Sequence, residues 1–123
     1  MITEPATITV AAAQLPARPL EDAPQALQDI ARAVQDAQRA GAQLVVLPEC
    51  CYPCYDLGNR QRYFHADILR GPAIETFFGD LARQHRIHIT AGLVHEHNGT
   101  LYDAAGLFDP AGRRIGRHLK TFL

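Results

Sequence analysis

Two periods alternate along this chain, and each switch between them marks a new element. Thr7 to Ala13, with Ile8 and Val10, reads as a first strand. Pro16 and Pro19 break it into a loop. From Pro24 onward, Leu27, Ile30, Val34 and Ala37 recur at helical spacing, with Gln28, Arg32, Gln35, Asp36 and Arg39 mostly opposite. Asp22 and Pro24 suit the start of that helix and Gly41 its end. Gln43 to Leu47 then follows as a short apolar run, predicted to be a strand buried on both faces. Strand, helix and strand make a βαβ unit, which crosses over right-handed to a parallel neighbour. Gly71-Pro72 opens a second helix, with Ile74, Phe77, Phe78 and Leu81 on one stripe. Ile87 to Val94 alternates as a third strand. Asn98-Gly99 is a hairpin signal leading into a fourth strand, Leu101 to Phe108. Asp109-Pro110-Ala111-Gly112 forms the next turn, and a fifth strand runs near Arg113 to Lys120.

The third strand is thus expected parallel to the second, with the fourth and fifth each reversing direction. Two helices cover one face of this mixed sheet. Nothing in the 123 residues obviously covers the other, although both faces of the fourth strand are semi-apolar. Residues 48–70 carry no clean periodicity, and an irregular segment of that length is often functional. Pro48 has no N–H for a sheet ladder and should stop the second strand. Glu49 therefore stands just past the carboxyl end of a buried strand, the edge where open α/β sheets collect ligands. A carboxylate with one dry side there suits proton transfer.

Composition narrows the classes. Twelve basic and thirteen acidic residues nearly cancel, with no basic run for a nucleic acid or a membrane surface. No apolar run approaches the roughly 20 residues of a membrane span. The N-terminus carries Glu4 and Pro5 where a signal peptide needs positive charge, so the expected location is cytoplasmic. Cys50, Cys51 and Cys54 are then expected as free thiols, since an odd count argues against a disulfide framework.

In order along the chain stand Ala13-Gln14, Val45-Val46-Leu47-Pro48-Glu49, Gly71-Pro72, Gly92 with Glu96, Leu101-Tyr102-Asp103-Ala104, Asp109-Pro110 with Gly112, and Lys120-Thr121-Phe122-Leu123. Together they resemble the N-terminal half of the nitrilase superfamily of carbon–nitrogen hydrolases, from Ile8 to Leu123. The resemblance implies an α/β fold, half of an αββα four-layer sandwich. It also implies a Glu–Lys–Cys triad, in which Glu49 is the general base and Lys120 the cation. The family's nucleophilic cysteine lies beyond the lysine, so the domain 1–123 is expected to be truncated before it. Phe122 stands where the family has histidine. The implied substrates are small amides, nitriles or carbamoyl compounds, acted on without cofactor or metal. The implied partner is a second copy or the missing C-terminal half.

Three other readings compete. A non-catalytic remnant could keep the fold for assembly. Cys51-Tyr52-Pro53-Cys54 has the spacing of a thiol redox site, but Asp56-Leu57-Gly58-Asn59 is a poor helix start, and such a site needs a helix N-terminus to lower a thiol pKa. Zinc could be held by the three cysteines and one histidine, with His95 and His97 on one strand face. No second cysteine pair supports that, and solvated hairpin histidines explain them equally.

Overall fold

The structure, a computed structural model, describes residues 3, 4 and 6–121. Five strands form one sheet in the order β1 (Val10–Ala12), β2 (Leu44–Val46), β3 (His88–His97), β4 (Thr100–Phe108) and β5 (Arg114–Leu119). β1, β2 and β3 are parallel, and β4 and β5 each turn back antiparallel. Helix α1 spans Ala23–Arg39 after a single 3-10 turn at Leu20–Asp22, α2 spans Arg60–His65, and α3 spans Pro72–His85. The α/β class and the mixed sheet are as expected from the sequence.

Local chemistry explains most boundaries. α1 and α3 each carry proline in the first turn, where its missing N–H costs nothing. Asp22 stands at the N-cap of α1, but its side chain makes no cap hydrogen bond. Gly41, at φ 85, follows the end of α1. Asn98 and Gly99 both have positive φ, as a two-residue type I′ hairpin requires. Glu96 Oε1 accepts from the Gly99 N–H at 2.6 Å and braces that turn. The short helix α2 lies in the segment without periodicity. Asn59 caps it by accepting from the Arg62 N–H at 3.1 Å.

The core lies between the sheet and the pair α1 and α3. Ala23, Ala26, Ile30, Val34 and Ala37 line the buried stripe of α1, and Leu27 is only partly buried beside it. Ile74, Phe78, Leu81 and Ala82 do the same for α3, and Phe78 stacks on Phe108 of β4 with ring centroids 5.5 Å apart. Val45, Ile89, Ala91 and Leu93 meet them from the sheet. Gly79 permits the closest approach: a Cβ there would lie 2.4 Å from the Gly112 carbonyl oxygen.

The second face of the sheet is open. β2 is not buried on both faces: Val45 is fully covered, whereas Val46 is 37% exposed. Val10 of β1 is 49% exposed. The register places Thr90 opposite Leu107, Gly92 opposite Ala105, and Val94 opposite Asp103 on this uncovered side. Leu93 points the other way, into the core. Among the described residues, no helix is long and apolar enough to cross a membrane.

Candidate functional site

Beyond Val46 the chain does not leave the sheet. It continues beside β3: Gly92 N–H donates to the Pro48 carbonyl at 3.2 Å, Cys51 N–H to the Gly92 carbonyl at 2.9 Å, and Val94 N–H to the Tyr52 carbonyl at 3.0 Å. Two residues, Glu49 and Cys50, are thus extra between hydrogen bonds that bracket one residue of β3. They bulge outward, with Cys50 at φ 45, a left-handed conformation rare outside glycine. The bulge rests on Gly92. A Cβ at Gly92 would lie 2.4 Å from the Pro48 oxygen, 2.5 Å from the Glu49 Cα and 2.8 Å from the Cys50 nitrogen. The missing side chain is what lets the bulge fold over the open face.

Lys120 reaches the same place from the end of β5. Its Nζ donates to Glu49 Oε1 at 2.5 Å and to Asp103 Oδ2 at 3.2 Å. Its backbone N–H donates to the Asp103 carbonyl at 2.8 Å. The Cys50 thiol donates to Asp103 Oδ1 at 3.5 Å. Glu49 and Lys120, 71 positions apart in sequence, are thereby joined at one end of the sheet. A depression of about 330 Å³ on the open face is lined by both, with Thr90, Gly92, Asp103 and His118 among its walls. Glu49 is not half dry, as its place after a strand suggests: its side chain is 45% exposed, and its partner is an ammonium rather than an apolar wall. Asp103 is the most enclosed of the three, at 18% exposure.

The electrostatics follow from this packing. Hydrogen bonds that Lys120 donates to Glu49 first, and then to Asp103, hold it protonated above the ordinary lysine range. Burial works against ionised Asp103, but the surrounding side chains of Glu49, Lys120 and Cys50 outweigh it, and its carboxyl lies below the usual range. The thiols go the other way. Burial, followed by the Asp103 charge, pushes Cys50 up to about 12, and burial does the same for Cys51. Burial also raises Cys54.

Cys51, Tyr52, Pro53 and Cys54 form no helix start, so the element that would activate a redox thiol is not there. A second cavity, of about 190 Å³, is walled by Cys50, Cys51, Cys54, Glu49, Leu15 and the ion pair of Arg18 with Asp29. The rings of His95 and His97 stack 6.4 Å apart, and His95 Nε2 faces the Arg117 guanidinium at 3.1 Å. Among the described residues, no three His, Cys, Asp or Glu side chains converge to hold a metal ion.

Sequence reasoning brought forward Glu49 and Lys120, and the structure brings them together. It missed the site positions of Asp103 and Cys50. Asp103 left one signal, an acidic residue on a strand face otherwise held by Leu101, Ala105 and Leu107. Phe122 and Leu123 of the last motif lie outside the described residues.

A parallel-then-meandering sheet with helices on one face and a carboxylate–ammonium pair at its strand ends defines an α/β architecture with a charged cluster on the open face. The carbon-nitrogen hydrolase family model matches residues 9–123, and the chain belongs to that family. A nitrilase of Pyrococcus abyssi (strain GE5 / Orsay) is 34% identical over 91 residues, covering 73% of this chain and 34% of that protein. A bifunctional nitrilase/nitrile hydratase of Oryza sativa subsp. japonica is 29% identical over 119 residues, covering 80% and 33%. The structure of an amidase from Nesterenkonia sp. superposes with a TM-score of 0.74 at 25% identity, covering 93% of this chain and 43% of that one. The chain therefore spans about a third of the length of the curated relatives it matches.

Proposed function

We propose that these residues form part of the active site of a hydrolase acting on non-peptide C–N bonds of small amides, nitriles or carbamoyl compounds. Glu49 is its general base and Lys120 its cation. The observation that carries the reading is the 2.5 Å contact of Lys120 Nζ with Glu49 Oε1 on the open face, in a chain of the carbon-nitrogen hydrolase family. Such hydrolysis needs a nucleophile stronger than water, and a thiolate is one. Glu49 takes the thiol's proton and later activates the hydrolytic water. Lys120 stabilises the charge that builds on the tetrahedral intermediate, a contribution whose removal typically costs about 10²–10³ in rate.

The attacking cysteine is assigned to polypeptide outside these 123 residues. The local thiols suit the role poorly: Cys50 and Cys51, held near 12, have almost no thiolate at neutral pH. The match covers only about a third of each relative's length, which leaves room for a nucleophile elsewhere. Steady-state assays on a panel of simple amides and nitriles test this. The 123-residue chain should show no turnover above background. A polypeptide that joins it to a cysteine-bearing remainder of the relatives' length should turn over, and Glu49→Gln should abolish that activity. Turnover by the short chain that disappears in Cys50→Ser, Cys51→Ser or Cys54→Ser would overturn the assignment and make a local thiol the nucleophile.

A further inference from the structure

The Glu49–Lys120 pair does not stand alone, and its third member is the most enclosed. We propose that Asp103 is the positioning residue of this site: its carboxylate bridges the Lys120 ammonium and the Cys50 thiol, and so ties the end of β5 to the bulge that presents Glu49.

Three observations carry it. First, the two Asp103 oxygens are divided between the two elements, Oδ2 taking the ammonium at 3.2 Å and Oδ1 the thiol at 3.5 Å. Sheet register explains only the nearness of Lys120, whose backbone N–H bonds the Asp103 carbonyl. It does not explain the thiol, which arrives from a different strand line. Second, exposure is graded. Asp103 is 18% exposed against 43% for Lys120 and 45% for Glu49, so Asp103 is the most enclosed of the three. Third, Lys120 is the only lysine in the chain, every other basic side chain being arginine. An ammonium is a compact point charge that two carboxylates can share, whereas a guanidinium would fork to one of them. The groups facing Asp103 are Glu49, Cys50 and Lys120, with His118 lining the same depression.

This inference rests on reading Glu49 and Lys120 as the site, but its test involves no turnover, so the two can fail separately. A single lysine gives a single side-chain Cε resonance in an isotope-labelled chain, and its pH titration can be followed directly. Asp103→Asn should bring the Lys120 midpoint down toward the ordinary lysine value. It should also speed iodoacetamide alkylation of Cys50 severalfold at fixed pH, read by peptide mapping, because the neighbouring negative charge is gone. Asp103→Glu should restore both in part. An unchanged Lys120 midpoint and unchanged Cys50 alkylation, with only a lowered unfolding temperature, would reduce Asp103 to a structural residue and overturn the proposal. Should Asp103→Asn not fold, Glu49→Gln decides: Asp103 then holds the ammonium alone. Lys120 should still titrate above the ordinary value, and a fall to that value would overturn the proposal.

Discussion

Gly92 shows how one residue sets the site. Its backbone supports the bulge through two hydrogen bonds, and its absent side chain makes the room. Gly92→Ala places a methyl against three backbone atoms of residues 48–50, and backbone cannot rotate aside as a side chain can. The expected cost is about 1–3 kcal/mol in urea unfolding, with displacement of Glu49 visible as a perturbed Lys120 resonance. The thiols give a second residue-scale prediction. For Cys50 and Cys51 the folded state favours the protonated form, so its contribution to stability is complete below the ordinary thiol value. It is lost as pH rises toward about 12. Alkylation of the folded chain should therefore stay slow through neutral pH and accelerate only in strong alkali. Rapid labelling of Cys51 at neutral pH would show an activated thiol and revive the redox reading.

Among the elements, α3 most directly fixes the sheet that carries the site. Phe78 is fully buried, stacks on Phe108, and lies one residue before the Gly79–Gly112 approach. Phe78→Ala leaves a cavity between α3 and β4, and the expected loss is about 3–5 kcal/mol, measured by chemical denaturation. An equivalent truncation on the open face should behave differently. Val46→Ala removes a side chain that is already 37% exposed, so its cost in the isolated chain should be well below that of Phe78→Ala. Comparable losses for the two would mean that the second face is covered in solution.

At the scale of the molecule, that open face sets the expectation for assembly. Val10 and Val46 are exposed beside Thr90, Ala105 and Leu107, on the side of the sheet opposite both long helices. Contiguous apolar surface beyond a few hundred Å² is unusual on a soluble monomer. At roughly 25 cal/mol per Å², covering about 600 Å² is worth on the order of 15 kcal/mol before the entropy of association. The 123-residue chain is expected to pair through its sheet, take up a partner or aggregate. Sedimentation at micromolar concentration should show species heavier than a monomer, and a stable monomer with a cooperative thermal transition would contradict this.

The local sequence determined the strands, the two long helices, the turns and the order of the sheet, because each rests on short-range periodicity and on proline, glycine and asparagine at fixed offsets. It placed Glu49 just past a buried strand, and the ordered motifs that resemble the carbon–nitrogen hydrolases singled out Lys120 with it. The α2 helix was hidden because one turn and a half, Arg60–His65, is too short to establish a period. The one-sided burial of β2 was hidden because Leu44-Val45-Val46-Leu47 is apolar throughout, and only the stacking of α1 and α3 decides which of those side chains is covered. The bulge at Glu49–Cys50 arises from a backbone contact with Gly92, about forty positions away, and no local pattern encodes it. Asp103 looked like one polar residue among many. Only the register of β4, bringing it against Lys120 on one side and the bulge on the other, makes it the centre of a cluster.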